Sequence, residues 1–501
     1  MKNDIVLYER IYQLLKNQIE CGILPVGAKL PSRAELCEEF KVSEKTIRRV
    51  LELLAEKNLI VTQQRKRPVV KNLASNQKQC GALGLRAVTT VPKDFFDTGR
   101  LLCYPAIEKG IALCTKEDWS IPAAIVERMD VLCSTEFWLL SHRFWRFFIA
   151  RNGNDLLLRA VDSLGFSTLE PLPGSLELRK AYLKTLRYYV QAVSSGKSLE
   201  KDFFGDLAKL YGVNLQNGNQ AQGEKRYRVA PDSLLYTGLM HLEQRLRSAE
   251  ERYSRVYMDI IGLIAIGRYR PGDRLPSHKE MQRIYGVSSD TTAKAVHVLE
   301  EWGAVTAKRG DGIYVAMDLA GLQQVRISPD LIGCHLRRFL DSLELLSLTV
   351  DGVAEHVSMF ITADEARIFQ REMDRLWNEE YLYQLTPIML LEFITEHIQY
   401  SPLKEIYQVV CQNYHIGRSI PQLVTHDKTF ENHSIHQQTA DAVDCLIRGN
   451  PEQFSKKVPI MFRYVHELVV KECRRLGYWE VAKKVYDGTT LWKKTNYLSK
   501  G

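Results

Sequence analysis

Two stretches of this chain repeat each other at a fixed offset of 245 residues. Tyr8, Arg10 and Tyr12 match Tyr253, Arg255 and Tyr257, and Gly22 and Gly27 match Gly267 and Gly272. Leu30-Pro31-Ser32 matches Leu275-Pro276-Ser277, and Glu35 matches Glu280. Val42, Ser43 and Thr46 match Val287, Ser288 and Thr291, while Leu54, Glu56 and Val70 match Leu299, Glu301 and Val315. No gap is needed across more than sixty positions. Chance does not hold Gly, Pro and Ser in register over that length, so the chain carries one module twice.

Each copy reads the same way locally. A helix comes first, with Ile11, Leu14, Leu15 and Ile19 on one face in copy one. Two glycines five apart then mark a turn. The next helix opens on Leu-Pro-Ser-x-x-Glu. Ser32 or Ser277 caps its free backbone N–H groups and Glu35 or Glu280 reaches back, a capping box. After a short turn, Ser43 or Ser288 caps a third helix, and in copy one Ile47, Val50, Leu51 and Leu54 have the spacing of a helix resting on a core. Strand, tip and strand close the module, over 59–62 and 68–70 in copy one and over 304–307 and 313–315 in copy two. Helix, capped helix, tight turn, capped helix and hairpin together make a winged helix-turn-helix.

The rest reads as helix. Val458, Met461, Phe462, Val465, Leu468, Val469 and Cys473 form one apolar stripe, and Leu183, Leu186, Val190 and Val193 form another. The expected fold is mainly α: two winged helix-turn-helix domains, each with a small β-hairpin wing, alternating with two all-helical bundle domains. The expected domains are 1–75, 76–230, 231–320 with a leading helix over 234–252, and 321–501; the polar Gly/Asn/Gln-rich run 214–224 reads as a linker. A chain of 501 residues can bury several cores, and 45% apolar with 26% charged residues excludes a disordered or collagen-like chain. No uncharged apolar run reaches about 18 residues, so no membrane span is expected. Asp4 and Glu9 fall where a signal peptide would be apolar. The ten cysteines are scattered without a CxxC pair, which fits reduced thiols in a cytoplasmic protein.

With its run from Gly22 to Ser32, then Val42-Ser-Glu-Lys-Thr-Ile-Arg-Arg49, the sequence resembles the GntR superfamily of bacterial transcription regulators. The signature recurs from Gly267 to Ser277. The helical parts resemble the all-helical FadR/FCD-like effector domain: the run from Phe144 to Leu158 is similar to one of its segments, and the run from Leu391 to Leu403 to a second version. The resemblance implies two complete regulator units in tandem, forming a pseudo-dimer within one chain, with further self-association open. It also implies double-stranded DNA as partner and a small-molecule effector in the helical domains, for which no residue is nominated. Many members of that branch hold a divalent metal with an Asp and three His. Here those positions fall on Ser141, Trp145, Leu186 and Ala208, and on Ile388, Glu392, Thr439 and Met461, so no metal site is expected. His397, His433, His436 and His466 lie nearby in copy two and read as structural or surface histidines.

In a winged helix-turn-helix the third helix enters the major groove and the wing touches an adjacent groove or backbone. The candidate DNA-binding residues of copy one are therefore Arg33, Ser43, Lys45, Thr46, Arg48 and Arg49, with the wing tip Gln64, Arg65, Lys66 and Arg67. Those of copy two are Lys279, Ser288, Thr291, Thr292, Lys294, Arg309 and Gly310. Copy two is the weaker set, with Asp290 in place of Lys45 and Ala293 in place of Arg48. Residues 8–71 carry 13 Lys+Arg against 8 Asp+Glu, and residues 253–316 carry 9 against 7. Phosphate contacts dominate affinity, so copy one is expected to grip DNA harder.

No catalytic residue, cofactor or metal is nominated. The chain lacks a Gly-rich phosphate loop, G-x-S-x-G and H-E-x-x-H, and the 180 or so residues after the second winged domain are too few for an aminotransferase-like domain. The competing class is an architectural or adaptor protein that binds DNA without sensing a ligand. The dense aromatics Trp138, Trp145, Phe147 and Phe148 read as core rather than pocket lining.

Overall fold

The structure is a computed structural model that describes residues 8, 11–12, 15–16, 19, 24, 27–40, 42–63, 66–71, 88–89, 93–164, 176–195, 227–228, 252–308, 310–325, 329–379, 382–425 and 427–484. The linker 214–224 and most of the leading helix 234–252 lie outside them, as do Gln64, Arg65, Ala208 and Arg309. The chain divides into two compact units, Met1–Ser248 with Tyr486–Gly501, and Ala249–Val485.

The first unit opens with helical residues Tyr8, Ile11, Tyr12, Leu15 and Ile19, of which the last four are buried. Helix α1 (Arg33–Phe40) and helix α2 (Glu44–Glu56) follow. The capping box forms as its spacing requires: Ser32 N–H donates to Glu35 Oε2 at 2.6 Å and Glu35 N–H to Ser32 Oγ at 3.2 Å. Those donors hold the Glu35 carboxyl below the usual carboxylate range. Strands β1 (Ile60–Val61) and β2 (Val69–Val70) pair antiparallel. The buried set runs from Ile11 through Ile47, Val50 and Leu54 to Val70, a core belonging to this winged domain.

β3 (Val88–Thr89) pairs with β4 (Tyr227–Arg228), a ladder the sequence pattern does not announce. Between them lie α3 (Lys93–Ala112), α4 (Ser120–Glu127), α5 (Ser134–Arg151), α6 (Asp155–Ser163) and α7 (Leu176–Ser194). Phe144, Trp145, Phe147 and Phe148 of α5 are buried, and Phe148 packs edge-on to Phe144 and Phe147 with centroids 5.3 and 5.4 Å away. The aromatics therefore serve as core, as their density implied; the side chain of Trp138 lies outside the described residues.

The second unit repeats the winged pattern with α8 (Arg252–Ala265), α9 (His278–Tyr285), α10 (Ser289–Glu301), β5 (Val305–Lys308) and β6 (Gly312–Val315). The ladder register Val305↔Val315 is that of Ile60↔Val70 moved by the same 245 residues. Both copies also tie the segment before the second helix to the wing through an isolated β-bridge, Lys29 with Val69 and Arg274 with Tyr314, that the pattern did not reveal. Gly27 N–H donates to the Val70 carbonyl at 2.9 Å and Leu30 N–H to that of Pro68 at 2.8 Å; Gly272 to Val315 and Leu275 to Ile313 repeat this at 2.8 Å each.

Helices α11 (Leu319–Gln324), α12 (Pro329–Ser358), α13 (Ala363–Trp377), α14 (Thr386–His397), α15 (Ser401–Tyr414), α16 (Phe430–Ile447), α17 (Pro451–Arg475) and α18 (Tyr478–Lys484) complete the unit. The 457–473 stripe lies on α17, with Val458, Met461, Phe462, Val465 and Cys473 buried. One core joins Val256, Leu299 and Val315 of the winged part to Leu336, Leu343 and Cys473 of the helical part, so packing is continuous across residue 320.

Two stability consequences follow from this unit. Ser288 accepts from Thr291 N–H at 3.3 Å at the start of α10. Ser288→Ala is expected to destabilise the unit by about 1 kcal/mol, read as a lower denaturant midpoint at unchanged slope. His335 of α12 is fully buried with Nε2 2.8 Å from Ser254 Oγ of α8, and burial pushes its pKa down to about 4 from 6.5. A depressed histidine contributes stability above the unfolded value and loses it as pH falls through the window 6.5 to 4, because the unfolded chain binds the proton first. Between pH 7 and pH 5 the loss is expected to be about 2 kcal/mol, and His335→Gln should flatten that stretch of the stability–pH curve.

Candidate nucleic-acid interface

The cap at Ser43 fixes where α2 begins and therefore which face it buries. Ile47, Val50, Leu51 and Leu54 are at most 3% exposed. The opposite face carries Glu44, Lys45, Arg48, Arg49, Glu52 and Glu56, all exposed. Arg33 at the start of α1 and Lys66 and Arg67 of the wing are exposed as well.

The pairing of these cations with carboxylates was not part of the sequence reading. Arg48 Nε is 3.8 Å from Glu52, and Arg49 Nη1 is 3.5 Å from both Glu52 and Glu56. Arg33 faces Glu44 at 3.8 Å and Arg67 faces Glu35 at 3.3 Å. Exposed pairs of this kind are worth about 0–1 kcal/mol, so a polyanion can displace the carboxylates at small cost. The i,i+3 and i,i+4 spacing of Glu52 from Arg49 and Arg48 was the available signal.

Two of the nominated threonines face inward. Thr46 is 3% exposed; its N–H donates to Ser43 Oγ at 3.2 Å and the two hydroxyl oxygens are 2.8 Å apart. Ser43 stays exposed, with its oxygen engaged as the cap. Thr292 is fully buried, donates to the Ser289 carbonyl at 2.8 Å and sits 3.1 Å from His278 Nδ1. It fills the core position that Ile47 fills in copy one, and its hydroxyl is satisfied locally. Thr46 and Thr292 thus present little surface in this structure, with their hydroxyls engaged within the domain.

The remaining copy-two positions are exposed or half-buried: Lys279, Ser288, Lys294 and Gly310 exposed, Thr291 partly so. Gly310 has φ +78°, the left-handed region that glycine enters without strain, at the tip between β5 and β6. Two further cations belong to this wing. Lys308 ends β5 with its ammonium 5.4 Å from the Tyr314 ring centre, and Arg274 pairs with Tyr314 of β6 in an isolated β-bridge and lies against Gly312. The offset that pairs Arg274 with Lys29 could have marked it.

A family model for bacterial regulatory proteins, gntR family, matches residues 7–70 and again 252–315. Both winged domains are gntR-family domains. The chain is 32% identical over 118 residues to the Uxu operon transcriptional regulator of Escherichia coli, covering 24% of this chain and 45% of that protein. It is 26% identical over 144 residues to the uncharacterized HTH-type transcriptional regulator YcbG of Bacillus subtilis, covering 29% and 60%. The chain thus spans about half the length of these curated relatives. A solved structure, Streptococcus agalactiae GntR, aligns at 19% identity over 43% of this chain and 99% of its own, with a TM-score of 0.20.

Beyond the gntR domains, the described residues that the resemblance would set at metal-ligand positions are packed among or paired with their neighbours. Ser141, Trp145 and Leu186 are buried, and the Tyr182 hydroxyl ties Ser141 Oγ at 3.0 Å to Trp145 Nε1 at 2.5 Å. Ile388, Thr439 and Met461 are buried, and Glu392 pairs with His415 at 3.2 Å. His397 faces Glu365 at 3.4 Å, and His436 stacks on Trp377 at 4.0 Å. Among the described residues no three His, Cys, Asp or Glu side chains gather as a metal would need, and no helix is long and apolar enough to cross a membrane.

Proposed function

We propose that this chain is a DNA-binding transcription regulator in which two gntR domains of one chain act as a pseudo-dimer, with DNA binding modulated by a small molecule held in the helical domains. The observation that carries this reading is the duplicated winged register, hydrogen bond for hydrogen bond at one offset, with a cation-bearing helix face left exposed in copy one. The relatives' names as transcriptional regulators support it. Arg48 and Arg49 are the groups for base edges and phosphates; Arg33, Lys45, Lys66 and Arg67 supply phosphate contacts. Lys279, Lys294, Arg274 and Lys308 form the weaker copy-two set.

Ordinary two-fold regulators read palindromes because their half-sites meet identical surfaces. Here the two surfaces differ, so the operator is asymmetric, strong for copy one and loose for copy two. Selection from a random duplex pool with the full chain tests this: two unlike half-sites are expected, and a perfect palindrome would refute the asymmetry. Failure to enrich any sequence would sink sequence-specific binding itself.

A further inference from the structure

The offset of 245 sets three positions of the two winged domains against each other: Arg33 against His278, Glu44 against Ser289 and Ile47 against Thr292. In copy one Arg33 and Glu44 face each other at 3.8 Å, a guanidinium and a carboxylate, both exposed. Copy two replaces all three side chains and ties the two helices differently. His278, the first residue of α9, is half-buried, with Nδ1 3.1 Å from Thr292 Oγ1 of α10. Thr292 Oγ1 in turn lies 2.8 Å from the Ser289 carbonyl oxygen.

The number of protons fixes the direction of these bonds. A threonine hydroxyl has one hydrogen, and a carbonyl oxygen has none to give. Thr292 therefore donates to Ser289, and in the other contact the hydrogen sits on His278 Nδ1. Neutral His278 is thus the Nδ1–H tautomer, with Nε2 a bare acceptor on the far edge of the ring. Protonation adds a donor at Nε2 and leaves the Nδ1 bond to Thr292 in place, so the ring gains charge without turning.

The titratable and charged groups on the neighbouring turns are Lys279, Glu280 and Arg283 of α9, Asp290 and Lys294 of α10, and Arg274 ahead of α9. Glu280 is engaged: the Ser277 hydroxyl and N–H hold its carboxyl below the usual carboxylate range, and Arg283 and Arg274 act on it in the same sense. Asp290 is exposed, where copy one has Lys45.

We propose that His278 is a proton-linked phosphate contact of the second winged domain, its charged form donating from Nε2 to a DNA phosphate where Arg33 serves copy one in a single charge state. The first helix of a helix-turn-helix pair crosses the DNA backbone, which brings the start of α9 to phosphates. A bare Nε2 would set a lone pair against phosphate oxygen, whereas the imidazolium makes a charge-assisted bond. Imidazole changes charge between about pH 5 and 8, so the grip of copy two strengthens as pH falls through that range. The contact rests on the function proposed above.

The test compares the affinity of the full chain for its selected duplex at pH 8 and pH 6 in one salt concentration. The unaltered chain is expected to bind about tenfold tighter at pH 6, with a logarithmic salt slope steeper by about one. His278→Gln should hold the weaker affinity at both pH values, and His278→Arg the tighter one. His297→Gln, at an exposed histidine near the end of α10, should keep the tenfold gain. Each gain is a ratio within one chain, so a variant of lower stability does not imitate its loss. A gain that persists in His278→Gln, or a His278→Arg chain that binds at pH 8 no tighter than the unaltered one, overturns the contact. A duplex bound equally by the unaltered chain at both pH values sinks the contact alone. If no duplex is bound at either pH, the regulator reading falls and the contact falls with it.

Discussion

Replacing Arg48 and Arg49 together by alanine is expected to lower the affinity of the full chain for its selected duplex about a hundredfold or more, because each arginine reaching a base edge or phosphate contributes about 1–3 kcal/mol. The logarithmic salt dependence should flatten by about one to two contacts. Lys279→Ala with Lys294→Ala should cost about tenfold or less, since copy two has Asp290 and Ala293 where copy one has Lys45 and Arg48. Burial cannot explain such a loss, because Arg48 and Arg49 have 59% and 46% of their side-chain surface exposed and, among the described residues, pair only with exposed glutamates. Their removal should leave the melting temperature nearly unchanged. Equal losses from the two double variants would contradict the ranking of the copies, and a large fall in melting temperature would move Arg48 and Arg49 from recognition to structure.

What could be read from the sequence was whatever short-range chemistry dictates. Ser32, Ser43, Ser277 and Ser288 all cap, because a hydroxyl before a helix meets free N–H groups three residues on, whatever lies elsewhere. The hairpins were legible to within a residue or two. Leu59 and Ala304 fall outside the strands because their N–H groups are still bonded to the helix, to the carbonyls of Leu54 and Leu299 at 2.9 Å. Long-range pairings were not legible. The bridge at Lys29 is defined only by its partner some forty residues later, and the β3–β4 ladder joins positions 88–89 to 227–228. The burial of Thr292 was not legible because a threonine in a helix is equally at home on a surface or in a core where its hydroxyl bonds the preceding turn. The core of the second unit likewise joins Val256 to Cys473, and no local pattern can announce such a meeting.

Gly110→Ala should destabilise the helical part of the first unit by about 3 kcal/mol, lowering the melting temperature by about 5–10 °C. Gly110 lies in α3 at a point where a methyl group would overlap the Phe148 carbonyl of α5. The obstacle is main chain within a helix, which cannot rotate aside as a side chain could. Separation is resisted on both flanks. Asn152 at the end of α5 donates to the Ala106 carbonyl of α3 at 2.8 Å, and the Phe148 ring is held 5.3 Å from both Phe144 and Trp119. Moving α5 outward would stretch that bond and open space around a fully buried aromatic. In an open helix the same substitution would gain about 1 kcal/mol, since glycine is the poorer helix former, so the sign of the change decides whether the two backbones touch. Glu108→Ala, on the exposed side of the same helix, is the control and should stay within about 0.5 kcal/mol. A stabilised Gly110→Ala chain would mean that α3 and α5 stand further apart than the close approach at Phe148 requires, and the aromatic core of the first unit would need another source of its packing.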